Sequence, residues 1–272
     1  MTDQHHLVFL GGLHRSGTTP LARALASHPE VAGLTGTGVT EDEGHHLQGV
    51  YPKLRNYGGV GRFANAEGAH LTEASPLITP QNGDRLLAAW RPYWDMTRPY
   101  LLEKSPQNLI MGRYLQQQFP NSSLVVLIRH PVIVSLATQK WMPAVVSRRG
   151  HLRVALAGLV AHWFRAHETL TQDATFLRRL HVLRYEDLIA NPVDELAKIQ
   201  RFLGLETPIP NDSIQPGKST QYADTWASMR SGGPLVRRRR REIERRFGQR
   251  AALYGYDISD PAARNEWLFE AA

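Results

Sequence analysis

Five short apolar runs punctuate the chain: Leu7-Val-Phe-Leu10, Val31-Ala-Gly-Leu34, Tyr100-Leu-Leu-Glu103, Ser123-Leu-Val-Val-Leu-Ile128 and Leu180 to Arg184. Runs of this length without polar alternation suit strands buried on both faces. Between them, apolar residues recur at helical spacing, as in Leu21, Ala24 and Leu25, in Leu109, Ile110, Arg113 and Tyr114, and in Val193, Leu196, Ile199, Phe202 and Leu203. Alternating strands and helices predict an α/β fold, a three-layer sandwich around a central parallel sheet with ligands at the carboxyl ends of its strands. The stretch from Tyr51 to Ala74, rich in glycine at Gly58, Gly59, Gly61 and Gly68, has weak periodicity and reads as a loop or lid. No repeat or low-complexity linker divides the chain, so residues 1–272 read as one domain.

The first run ends in Gly11-Gly-Leu-His14-Arg15-Ser16-Gly17-Thr18-Thr19 and opens into a helix. Glycines relax the turn, and the free N–H groups of a helix start converge on one point, which makes an anion cradle. The spacing Gly12-x4-Gly17 is that of a P-loop, but Thr18 stands where a nucleoside-triphosphatase places its lysine. The strand ending at Ile128 runs into Arg129-His130-Pro131, where a P-loop nucleotidase could carry a magnesium-binding Asp. An arginine there cannot ligate a metal but can fork onto a phosphate. The pair implies a nucleotide with two separated anionic groups and no metal bridge. A P-loop nucleotide kinase is the disfavoured alternative.

At these residues the chain resembles the sulfotransferases that use 3′-phosphoadenosine 5′-phosphosulfate (PAPS). The likeness rests on Arg15-Ser16-Gly17-Thr18-Thr19, on Arg129, and on Tyr185-Glu-Asp-Leu188 followed by Asn191-Pro192 and Phe202-Leu-Gly-Leu205. The resemblance implies a P-loop-like fold whose turn, Arg15 to Thr19, holds the 5′-phosphosulfate, with Arg129 on the 3′-phosphate and Tyr185 near the adenine. Arg15 and Lys104, in Glu103-Lys104-Ser105-Pro106, are implied as stabilisers of the leaving phosphate. A serine commonly found eight positions after the strand-end arginine is Ala137 here, which leaves Thr138 and Lys140 as the nearest substitutes. Lys218 lies in a turn that could close over the nucleotide.

Sulfuryl transfer needs a base for the acceptor's proton. In the cytosolic branch of the family a histidine two residues after the equivalent of Lys104 serves, and here that residue is Pro106. The tyrosylprotein branch places a catalytic glutamate after the second strand, where this chain carries Glu41-Asp42-Glu43-Gly44-His45-His46. Glu43 is the first candidate, then His45, then Glu41. A plain alternative is a solvated acidic helix start.

Charge changes the picture only slightly. The formal net charge is +7, and Arg237 to Arg241, Arg245 and Arg246 invite a nucleic-acid-binding alternative. Five successive arginines on a helix point to all sides, Glu242 and Glu244 interrupt them, and no aromatic residue is interleaved to stack bases, so no nucleic-acid partner is expected. There are no cysteines, and His5-His6 and His45-His46 do not form a metal-ligand set, so neither a disulfide nor a required metal is expected. About four apolar residues follow Asp3, far short of a membrane span, which predicts a cytoplasmic protein with no transmembrane segment. The expected partner is a small-molecule, glycan or lipid hydroxyl acceptor, with a homodimer left open. Trp90, Tyr93 and Trp94, at helical spacing, are either an acceptor-pocket wall or core.

Overall fold

The computed structural model describes residues 5–145, 155–217 and 219–269. Strands β1 (His6–Gly11), β2 (Val31–Gly33), β3 (Tyr100–Lys104), β4 (Ser122–Ile128) and β5 (Leu180–Arg184) form one parallel sheet in the order β2-β3-β1-β4-β5. Its helices are α1 (Thr18–Ala26), α2 (Pro80–Trp90), α3 (Gly112–Gln118), α4 (Pro131–Val145), α5 (Leu156–Asp173), α6 (Tyr185–Ala190), α7 (Pro192–Leu203), α8 (Ser219–Ser228) and α9 (Pro234–Ala252).

Side chains alternate across each strand, so the central strand feeds two cores. Val8 and Leu10 pack with Leu102, Val125 and Leu127 against α1 and α7. Leu7 and Phe9 pack with Leu101, Leu124 and Val126 against α2, α5 and α9. Each such residue, fully buried, contributes roughly 1.5–3 kcal/mol. The expected three-layer sandwich is therefore what forms. Because the strands are parallel and in register, with Leu10 beside Lys104, their carboxyl ends open onto one edge.

Two local expectations are corrected, and a third, left open between two readings, is decided. The segment from Tyr51 to Ala74 is no lid: Tyr51, Leu54, Phe63, Ala64 and Ala69 are buried in the core. It is built from single turns at Leu54–Tyr57, Phe63–Asn65 and Glu67–Ala69, each too short to carry a helical period. The helix expected around Leu109 to Tyr114 is a tight turn at Pro106–Ile110 that breaks at Met111 before α3 begins. Trp90 and Trp94 are core residues, with 0% and 6% exposure, rather than a pocket wall facing the carboxyl ends.

The arginine run on α9 divides as its helical spread predicts. Arg237, Arg238, Arg239 and Arg241 are exposed, whereas Arg240 is buried. Its guanidinium lies 4.4 Å over the Trp226 ring and donates to the Trp226 and Ser259 carbonyls and to Glu244. That contact ties α9 to α8, the helix whose first residue reaches Arg129. Arg240→Ala should lower unfolding free energy by about 1–3 kcal/mol, and Arg238→Ala by less than about 0.5 kcal/mol. Equal midpoints for the two variants in denaturant titrations would contradict this division.

Candidate active site

The loop after β1 takes the shape that only its sequence allows. Gly12 and Gly17 have φ of 154° and 99°, and Arg15 between them is left-handed at 69°. A Cβ on Gly12 would lie 2.7 Å from the Leu127 carbonyl oxygen, and one on Gly17 would lie 2.6 Å from the Tyr185 ring. The chain then enters α1 at Thr18 with Gly17 as its N-cap, so the positive end of a nine-residue helix faces the loop. Inside the turn, the fully buried Ser16 Oγ has no hydrogen-bond partner. A buried hydroxyl left open at a helix start marks a place for an anionic ligand.

The end of β4 supplies a second candidate anion site. Arg129 Nη1 donates to the Arg15 carbonyl at 2.8 Å and Nη2 to Ser219 Oγ at 2.7 Å, while its buried Nε has no partner. The guanidinium stacks 4.1 Å over Tyr185, whose hydroxyl accepts from the Gly217 amide at 3.1 Å. Burial lowers the Arg129 pKa from its ordinary value, against the opposing influence of Tyr185 and Glu186. The rest of the Tyr185-Glu-Asp-Leu block braces the same corner. Glu186 accepts from the His130 amide at 3.0 Å and from the Tyr256 hydroxyl at 3.0 Å, and Asp187 accepts from Arg184 Nε at 2.6 Å.

Beyond β2 the chain turns through Glu41 and Asp42, both left-handed at φ 55° and 49°. Two consecutive non-glycine residues in that region are strained and need external fixing. Asp42 Oδ1 accepts from the Thr37 amide and hydroxyl at 3.1 and 2.6 Å, and Glu41 Oε2 accepts from the cradle residue Thr19 at 2.8 Å. Glu43 is thereby delivered to the interior at 7% exposure, beside Lys104 at 5%. Lys104 Nζ donates to Glu43 Oε1 at 3.2 Å, and Oε2 lies 3.1 Å from His45 Nε2. Desolvation is the largest influence on Glu43 and outweighs the Lys104 charge, pushing its pKa up to about 7; Glu103 and Glu41 push the same way.

A second buried acid holds this loop against β3. Glu103 Oε1 accepts from the Gly44 amide at 3.0 Å and from Ser105 Oγ at 2.5 Å, and Oε2 accepts from Asn108 Nδ2 at 2.6 Å. Trp90 Nε1 donates to the Gly44 carbonyl at 3.0 Å, and Ser105 Oγ accepts from the His45 amide at 3.0 Å. Ligand atoms of Glu43, His45 and His46 lie within 4.8 Å of one another, a spacing a metal could accept, but the Lys104 ammonium already sets a cation against that carboxylate. A cleft of about 240 Å³ runs beside Lys104, between Thr19 and Arg23 of α1 and Leu34, Glu41 and Leu102.

Residues 8–208 match the Sulfotransferase family. The chain belongs to this family. It is 27% identical over 208 residues to protein-tyrosine sulfotransferase 2 of Gallus gallus, covering 73% of this chain and 51% of that protein. It is 24% identical over 174 residues to an omega-hydroxy-beta-dihydromenaquinone-9 sulfotransferase of Mycobacterium bovis, covering 60% of this chain and 43% of that one. The chain spans about half the length of these curated relatives. In fold it is similar to a sulfotransferase from Mycobacterium avium, with TM-score 0.52 at 11% identity over 94% of this chain and 79% of the other.

In this chain the fold brings together Arg15 to Thr19, Glu43, His45, Lys104, Arg129 and Tyr185, with Glu41 linked to them through Thr19. Thr138 is buried behind the cradle, where its hydroxyl meets the His14 carbonyl at 3.4 Å. Lys140 is exposed on α4, and Lys218 lies outside the described residues. Tyr185 has its ring against Gly17 and under Arg129, so it braces the two anion sites. Sequence inspection missed Glu103, Gln107, Glu186 and Ser219. For Glu103 a clue existed, an acid inside an otherwise apolar strand; Ser219, which accepts from Arg129, is 90 residues from its partner.

Gly44 is a tight point of the assembly, since a Cβ there would lie 2.6 Å from Glu103 Cγ and Oε1 and 2.8 Å from Trp90 Nε1. Gly44→Ala should displace Glu43 and lower kcat by roughly 10²-fold with the fold intact by circular dichroism. Unchanged turnover in that variant would show that the loop's position is unimportant.

Proposed function

We propose that this protein transfers a sulfuryl group from PAPS to a hydroxyl of its acceptor, with Glu43 as the base, releasing 3′-phosphoadenosine 5′-phosphate. The observation that carries this is the Glu43 carboxylate, poised near neutrality beside the Lys104 cation. Two of the buried polar atoms without a partner, Ser16 Oγ and Arg129 Nε, fit a donor with anionic groups at both ends. PAPS when bound supplies the sulfuryl group on a phosphosulfate anhydride. Arg15 to Thr19 hold its 5′ end through the cradle amides and hydroxyls, and Arg129 with Ser219 holds the 3′-phosphate through its bidentate fork.

Glu43 takes the proton of the acceptor hydroxyl, and the oxygen it uncovers attacks sulfur. Protonation cancels the counter-charge of Lys104, freeing that ammonium for the negative charge that grows on the departing phosphate, where Arg15 also acts. These fixed cations stand in the role a divalent metal fills in kinases, so no metal is required in this scheme. A hydroxyl acceptor is supported by the names of both relatives, one acting on protein tyrosine and one on an omega-hydroxy compound.

Three measurements test the assignment. Arg129→Ala should weaken 3′-phosphoadenosine 5′-phosphate by about 1.5–3 kcal/mol and adenosine 5′-phosphate far less; equal calorimetric losses reject the 3′-phosphate role. Glu43→Gln should lower kcat about 10²–10⁴-fold with donor affinity nearly unchanged. Only ionised Glu43 can accept a proton, so kcat in the parent should rise with pH through about 7. A flat profile from pH 5.5 to 8.5, together with near-parental turnover of the glutamine variant, would remove Glu43 as the base.

A further inference from the structure

His45 and Gln107 stand behind Glu43, both almost fully buried and both outside the contacts that hold the donor. Gln107 sits in the turn that follows Lys104, and its Nε2 faces the Pro52 carbonyl at 3.4 Å. A carbonyl only accepts, so this contact fixes which way the amide points and turns Oε1 toward His45 Nδ1, 3.2 Å away. An amide oxygen cannot donate, and therefore the ring must carry a proton on Nδ1. Desolvation, with the charges of His46, His14, Lys53 and Lys104, lowers the His45 pKa to about 3 and keeps the ring neutral. With one proton, on Nδ1, the other nitrogen presents a lone pair to Glu43 Oε2 at 3.1 Å.

We propose that Gln107 is a positioning residue that fixes His45 in its Nδ1–H tautomer, so that Nε2 accepts a hydrogen bond from Glu43 once Glu43 holds the acceptor's proton. It rests on Glu43 acting as the base. An ionised Glu43 faces the Nε2 lone pair unfavourably, and a protonated one donates to it, so the arrangement favours proton capture on Oε2, the oxygen that does not accept from Lys104. The proton balance is closed. The acceptor O–H bond breaks, an O–H bond forms on Glu43 Oε2, the freed oxygen pair bonds sulfur, and the departing phosphate keeps the electrons of the broken S–O bond. The charged and titratable groups facing Glu43 are Lys104, Glu103, Glu41, His45 and, at 3.8 Å, His46. None of the others is oriented by Gln107.

The test compares Gln107→Leu with Gln107→Glu. Leucine releases the tautomer, lets His45 donate from Nε2 to an ionised Glu43, and should move the acid limb of the kcat profile down by about one pH unit. Its plateau kcat should fall about 3- to 10-fold with both KM values within about twofold. Glutamate keeps an acceptor at Nδ1 and should leave the limb at or above its parental position. A purely structural role would lower kcat in both variants without moving the limb, and that result overturns the proposal. Long-range ¹H–¹⁵N correlation on the parent protein reads the tautomer directly even if a variant fails to fold: a proton on Nδ1 supports it, and one on Nε2 overturns it. Glu43→Gln measured alongside separates the two levels. Deep loss there with an unmoved Gln107→Leu limb sinks only the role of Gln107, whereas near-parental turnover sinks the base itself.

Discussion

A carboxylate and an ammonium 3.2 Å apart and nearly out of water are the constraint around which this site is arranged. Taking two such charges from water costs several kcal/mol each, and their attraction offsets this only with good geometry and further hydrogen bonds. The sheet supplies Lys104 from the end of β3, which leaves the geometry to the loop carrying Glu43. That explains why so much structure converges on four residues of backbone. Glu103 grips the Gly44 amide, Trp90 its carbonyl and Ser105 the His45 amide, and the two strained residues before Glu43 are tied to Thr37 and Thr19.

The two anion sites obey a related logic on the other side of β1. Arg129 bonds the carbonyl of Arg15, and Tyr185 touches both Gly17 and Arg129, so the cradle and the strand-end arginine are set by one another. The ends of the donor proposed here would be held at a separation fixed by β1 and β4, neighbours in the sheet. Glu186 and Asp187 then fix the corner from beneath. Local sequence blocks thus meet as one surface only because parallel strands bring their carboxyl ends together.

Much of this was legible in the chain. The apolar runs marked all five strands, because each carries consecutive apolar residues rather than an alternation of apolar and polar ones, and Pro192 and Gly204 bracket α7 as its helix start and left-handed stop. The cradle and Arg129 were legible because backbone chemistry at a helix start needs particular residues in a short span. What escaped was whatever depends on distant partners. Nothing near Ser219 or Gln107 in sequence announces Arg129 or His45, and the turns between Tyr51 and Ala74 pack through aromatic side chains without any period. Tyr185, which the resemblance puts near an adenine, has its ring stacked under the Arg129 guanidinium, a contact between residues 56 apart that no local pattern announces.

The unpartnered Ser16 Oγ and Arg129 Nε have a bearing on the lifetime of the protein as well as on its chemistry. A fold that leaves buried donors unmet is less resistant to opening than its packing alone would make it, and a ligand that meets them adds resistance in proportion to the logarithm of its concentration over Kd, about 2.7 kcal/mol at a hundredfold excess. Proteolysis that samples the open form would then remove empty molecules faster than loaded ones. A ligand that completed both hydrogen bonds would in that way lengthen the life of the molecule that carries it.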